Sequence, residues 1–94
     1  MVLDLASVRH WEALHLRPAR TADGEWRVPV QGSMGAGWPD LTLVRGSRLV
    51  FVELKGDKGK LSPHQERVLG LLRQVAEVYV WKPSDWDTIL EVLK

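Results

Sequence analysis

The 94-residue chain carries 13 Lys and Arg against 12 Asp and Glu, a net charge of +1, with 45% hydrophobic residues, five tryptophans and no cysteine. This length fits one domain over residues 1–94, with a real core and a thin margin of stability. Lack of cysteine excludes a disulfide framework and a thiolate metal site. No apolar run is long enough for a membrane-spanning helix, the start Met1–Leu5 makes a poor secretory signal, and the net charge is uninformative, while the mild basic bias of Arg48–Arg67 does not suggest a long nonspecific DNA-binding surface. A cytoplasmic location is expected.

In chain order, residues 3–10 read as a short helix with Leu3, Leu5, Ala6 and Val8 apolar. Trp11–Leu16 reads as a strand. Arg17–Gly24 reads as a loop punctuated by Pro18 and Asp23-Gly24. Trp26–Val30 is a short extended piece that Pro29 confines to a sheet edge. Three glycines in Gly32–Gly37 indicate a flexible or tightly turned loop. Asp40–Val44 and Arg48–Lys55 form an antiparallel hairpin around Arg45-Gly46-Ser47, and Gly56–Lys60 is a polar loop. Ser62 caps a helix with Pro63 at its first position. Its apolar stripe is Val68, Leu69, Leu71, Leu72, Val75 and Ala76. Val78–Trp81 is a strand returning to the same sheet by a crossover. Ser84 caps a last helix, with Asp85 and Asp87 in its first turn and a stripe of Trp86, Ile89, Leu90 and Leu93. The order of elements gives an α/β fold, a small mixed central sheet flanked by helices.

The chemistry concentrates in Gly37-Trp38-Pro39-Asp40 and Val52-Glu53-Leu54-Lys55. Leu49, Phe51, Glu53 and Lys55 share one strand face, so Glu53 is expected beside buried Phe51, where a carboxylate needs a compensating partner. Two carboxylates call for a divalent cation, and hard oxygen ligands select Mg2+ or Mn2+. A neighbouring lysine positions or deprotonates water, which together is the equipment of metal-assisted phosphodiester hydrolysis. Bland readings stand beside these: Asp40 as a turn residue after proline, Glu53 and Lys55 as a surface ion pair. Ser62-x-x-Gln65 is a capping box, yet Gln65 also leads the line Leu69, Leu72, Ala76 and so faces the sheet. His64 reads as a packing or surface histidine. Trp38 reads as wedged against the core, and Trp11, Trp26, Trp81 and Trp86 as core or dimer-interface residues. From Arg48 to Arg67 five basic residues meet three acidic ones, a mild bias suited to phosphates near one site. Arg45, Arg48, Lys58 and Lys60 are candidate DNA contacts, with solvated charge as the default.

These segments, with Gly59-Lys60-Leu61-Ser62-Pro63-His64-Gln65, resemble the PD-(D/E)xK nuclease superfamily, and more narrowly its VRR-NUC (virus-type replication-repair nuclease) family, from about Gly32 to Leu93. The resemblance implies a restriction-endonuclease-like core. It implies Asp40 and Glu53 as metal ligands, completed by the backbone carbonyl of Leu54, with Lys55 acting on the attacking water and Gln65 supporting that water. It further implies a Mg2+- or Mn2+-dependent DNA endonuclease of replication, repair or recombination, with branched or flapped DNA as substrate; a homodimer is expected from the small domain, its five tryptophans and the apolar surface they leave to cover. The chain departs from the family pattern at its start. The family's longer first helix carries a glutamate, whereas here a short or truncated helix holds only Asp4, and Glu12 falls in a strand. The alternative is a catalytically impaired module of the same fold that binds DNA or a partner protein.

Overall fold

The computed structural model describes residues 1–16, 19–20, 26–27 and 31–94, the side chains of 19, 20, 26 and 27 excepted. In chain order these form α1 (Val2–Val8), β1 (Glu12–His15), β2 (Ala19–Arg20), β3 (Trp26–Arg27), a 3-10 turn (Gly35–Gly37), β4 (Leu41–Arg45), β5 (Arg48–Leu54), α2 (Pro63–Arg73), β6 (Glu77–Trp81), a second 3-10 turn (Pro83–Asp85) and α3 (Trp86–Val92). β1, β4, β5 and β6 make a four-stranded sheet in that spatial order. β1–β4 and β4–β5 are antiparallel, and β5–β6 is parallel. The α/β fold expected from the sequence is the fold observed, a mixed sheet flanked by helices and compatible with a PD-(D/E)xK core.

Local chemistry explains the turns. β4 and β5 pair from Leu41↔Val52 to Arg45↔Arg48. Gly46 at φ 59 takes the left-handed position that the first residue of a mirror-image hairpin turn requires. α1 ends in a Schellman motif, where Trp11 N–H donates to Ala6 O at 2.8 Å and His10 N–H to Ser7 O at 3.1 Å. His10 occupies the left-handed position, φ 65, that glycine usually fills. The closure is held by tertiary burial, since Trp11 and Ala6 both lie in the core.

The two faces of the sheet differ. On one, Leu41, Leu43, Val50, Val52 and Trp81 pack with Ala6, Trp11, Ile89 and Leu93 under α1 and α3. On the other, Phe51 packs with Val68 and Leu72 of α2, joined by Met34, Trp38, Ala76 and Val78. α2 covers only part of that second face, because the register puts Leu14, Val44 and Leu49 on it and all three are exposed.

Several sequence expectations are corrected. Leu49 is exposed although it shares the face of buried Phe51, because it sits at the hairpin end that α2 does not reach. Leu71 and Val75 are exposed; α2 stops at Arg73, and its buried line is Val68, Leu69 and Leu72. Ser84 lies inside the 3-10 turn, whose start is closed by Asp85 Oδ2 accepting from Lys82 N–H at 2.8 Å. α3 therefore begins at Trp86, one residue later than a Ser84 cap would start it. Within the expected 17–24 loop, Ala19–Arg20 is extended and pairs with Trp26–Arg27. The remainder of that loop, the edge role of Pro29 and the packing of Trp26 lie outside the described residues.

Candidate active site

The site forms where β4 begins and β5 ends. The turn Gly35–Gly37 lies so close to α2 that a Cβ at Gly37 would collide with the backbone carbonyl of His64, which makes the absence of a side chain obligatory there. Pro39 is buried beyond it, and Trp38 meets Phe51 edge-to-face with ring centroids 5.3 Å apart. Asp40 emerges from this packed segment. Its main-chain carbonyl accepts from Leu16 N–H at 2.9 Å, and its Oδ2 accepts from Leu54 N–H at 2.8 Å. One Asp40 oxygen is thus fastened to the end of β5, immediately after Glu53.

Glu53 is 2% exposed and is the buried charged side chain of the core. Its carboxyl is pushed up to about 8, first by burial, then by a hydrogen bond to Asp40 and by Asp40's charge, with Lys55 pulling the other way. Like charges this close cannot both ionise cheaply, so Glu53 keeps its proton to near neutral pH. Gln65 serves both sides of its position. Its Oε1 accepts from Ser62 N–H at 2.9 Å while its own N–H donates to Ser62 Oγ at 3.1 Å, closing the capping box. Its Nε2 lies 3.4 and 3.5 Å from the two Glu53 oxygens. One amide therefore fixes the start of α2 with its oxygen and reaches Glu53 with its nitrogen.

Lys55 follows the last residue of β5, so strand alternation does not set its direction as the sequence suggested. Its backbone N–H still extends the ladder to Trp81 O at 2.9 Å, and its charge reaches Glu53. Lys55 also lines a cavity on the far side of the sheet. Lys58 and Lys60 are exposed on the loop from β5 to α2, beside the site, and His64 is exposed on the first turn of α2.

Arg45 and Arg48 are not brought to the site. They flank the turn at the opposite end of the hairpin, where they hold the end of α3. Arg45 donates to Arg9 O at 3.1 Å and Lys94 O at 2.8 Å, while Arg48 donates to Val92 O at 3.1 Å and binds both oxygens of Glu77 at 2.7 and 2.8 Å. Arg9 bonds Leu90 O and Trp11 Nε1 bonds Leu93 O, both at 3.2 Å, and both hairpin guanidiniums lie over the Trp11 ring. The last carbonyls of a helix lack intrahelical donors; this cluster supplies them. The sequence shows arginines flanking a turn but nothing that pairs them with residues some forty positions away.

The donor set fits a hard divalent cation. Two carboxylates lie side by side, one of them buried and raised by that burial and by its neighbour, and the chain has no cysteine. Among the described residues no third His, Asp or Glu joins them. Asp4 is 91% exposed and paired with the terminal amine, and Glu12 opposes Val44 near the far end of β4, so neither replaces the family's helix glutamate. Magnesium sites commonly combine one or two carboxylates with water and substrate phosphate.

The fold is compatible with a nuclease-type domain, and the family comparison indicates one. The VRR-NUC domain model matches residues 12–83, and the chain belongs to that family. The match begins at β1, upstream of the segments that carried the resemblance in sequence, and it spans Asp40, Glu53, Lys55 and Gln65. No curated protein and no solved structure matches the chain.

Proposed function

We propose that the chain is a Mg2+- or Mn2+-dependent DNA endonuclease of replication, repair or recombination that acts on branched or flapped DNA. The observation that supports this most strongly is Glu53, a buried carboxyl raised to about 8 against Asp40. Asp40 and Glu53 would hold the cation, with the carbonyl of Leu54 completing its protein ligands. A bound cation would acidify the attacking water and offset charge on the scissile phosphate. Lys55 would orient that water or, as the neutral amine, take its proton. Gln65 holds the Glu53 carboxylate in place from the first turn of α2, and Lys58 and Lys60 meet flanking phosphates. A homodimer would cover the apolar residues Leu14, Val44 and Leu49 and present two sites to a two-fold substrate. A cytoplasmic location goes with this reading.

The second reading is a binding module that does not cut, favoured by the lack of a third acidic ligand among the described residues. Incubation with single-stranded, duplex, flap and four-way DNA in Mg2+, Mn2+ or EDTA separates the two. Endonuclease function requires cation-dependent products that Glu53→Gln abolishes. Binding without products in either cation selects the module, and undiminished cleavage in EDTA refutes the metal mechanism.

A further inference from the structure

On the sheet face opposite Glu53, at the same end of β5, lies a cavity of about 650 Å³, within the roughly 300–1,000 Å³ typical of small-molecule sites. Its walls include His15, Leu54, Trp81 and Trp86, and Lys55 and Lys82 also line it. Trp81 is 3% exposed, and its indole N–H is buried with no hydrogen-bond partner; His15 Nδ1 is in the same state. Buried polar nitrogens are ordinarily paired; these two belong to residues of the cavity wall but are themselves closed to solvent, so a ligand reaches them only when the wall shifts. Lys82 Nζ donates to Asp57 O at 3.2 Å, which holds that ammonium against the loop that follows Lys55.

We infer that this cavity is a nucleobase site, which receives the unstacked base of the nucleotide whose phosphate lies at Lys55. The inference rests on the nuclease reading of the neighbouring carboxylate site. Successive strand residues face opposite sides, so Glu53 and Leu54 put the carboxylate site and the cavity back to back across the end of β5, and Lys55 is common to both. A nucleotide wrapped around that end places its phosphate by Lys55 and Lys82 and its base against Trp86. A base edge carries both acceptor and donor groups, so a shift of the wall that opens the nitrogens of Trp81 and His15 gives them partners. A purely apolar ligand would leave both ammonium charges unanswered. A base held there is out of its stack, so the substrate has an unpaired nucleotide at the cut.

The test is binding by the metal-free protein, read on its tryptophan indole N–H signals by NMR. Deoxyadenosine 5′-monophosphate should shift the Trp81 and Trp86 signals saturably. Deoxyribose 5-phosphate, lacking the base, should bind at least about 10-fold more weakly and leave the indoles in place, in keeping with the strength of base–aromatic stacking. Trp86→Leu and Lys82→Gln, each checked by thermal melting, should each weaken nucleotide binding about 10-fold. Equal binding of the two phosphates, unmoved indole signals at millimolar nucleotide, or parental affinity in a folded Lys82→Gln protein would overturn the base site. Because neither cation nor cleavage enters this measurement, its failure leaves the nuclease reading standing, and failure of cleavage leaves the binding result intact.

Discussion

Glu53 makes the stability of the metal-free protein fall as pH rises. In the unfolded chain its carboxyl titrates at an ordinary value near 4.5, and in the fold near 8. Between these values the folded protein holds a proton that the unfolded chain has released, so folding loses ground with each step up in pH. The stabilisation is complete below about pH 4.5 and is gone once pH has passed 8. A displacement of this size corresponds to roughly 4–5 kcal/mol, and in a domain of this length each kcal/mol moves Tm by about 4–8 °C. Metal-free melting should therefore drop by about 15 °C or more between pH 5 and pH 9. Glu77 acts in the opposite sense, since its bond to Arg48 holds its carboxyl below the ordinary value. That contribution is present above about pH 4.5 and lost only in acid, outside the tested window. Glu53→Gln keeps the shape of the side chain and removes the titration, so its profile should be flat over the same range. Saturating Mn2+ at pH 8.5 should raise Tm of the parent, by about 2.7 kcal/mol of binding free energy at a hundredfold excess over Kd, and leave Glu53→Gln unmoved. A parental Tm constant within a few degrees from pH 5 to 9, or the same slope in Glu53→Gln, refutes the reasoning.

Lys55→Ala should lose cleavage by about 10²-fold or more, the scale of a lost general base, while Mn2+ titration and melting stay close to parental; cleavage at the parental rate removes Lys55 from the reaction. Gln65→Glu should keep the capping box but set a third acidic group against Glu53, lowering cleavage about 10-fold or more with little change in Tm; parental cleavage and metal affinity would leave Gln65 as a cap alone. Arg45→Ala should lower stability by about 1–3 kcal/mol, through loss of charged hydrogen bonds to the Arg9 and Lys94 carbonyls, and leave DNA affinity unchanged, whereas a weaker salt dependence of DNA binding would restore it as a phosphate contact. Light scattering at low micromolar concentration should report about twice the chain mass of 10.7 kDa; a clean monomer counts against the dimer.

How much was legible in the sequence depended on whether the signal was local. Gly46 marked the hairpin turn, Ser62-Pro63 marked the start of α2, and alternation along Leu49–Lys55 put Glu53 beside Phe51. Each is a rule about neighbours a few positions apart, and each survives folding. The Asp40–Glu53 pair was legible as a spacing of motifs. Its tightness was not, because that comes from Leu54 N–H clasping Asp40 across two strands and from Gly37 pressed on α2. Leu71, Val75 and Leu49 misled because apolar periodicity states which side of an element is greasy, not how far the partner element extends. Ser84 looked like a cap, yet Asp85 closes a 3-10 turn first and delays the helix. Only the tertiary structure turned Arg45 and Arg48 from prospective phosphate contacts into a clamp on the end of α3, and brought His15, Trp81 and Lys82 around one cavity. Those residues are far apart along the chain, and sequence carries no record of a meeting that depends on strand order and on which helix covers which face.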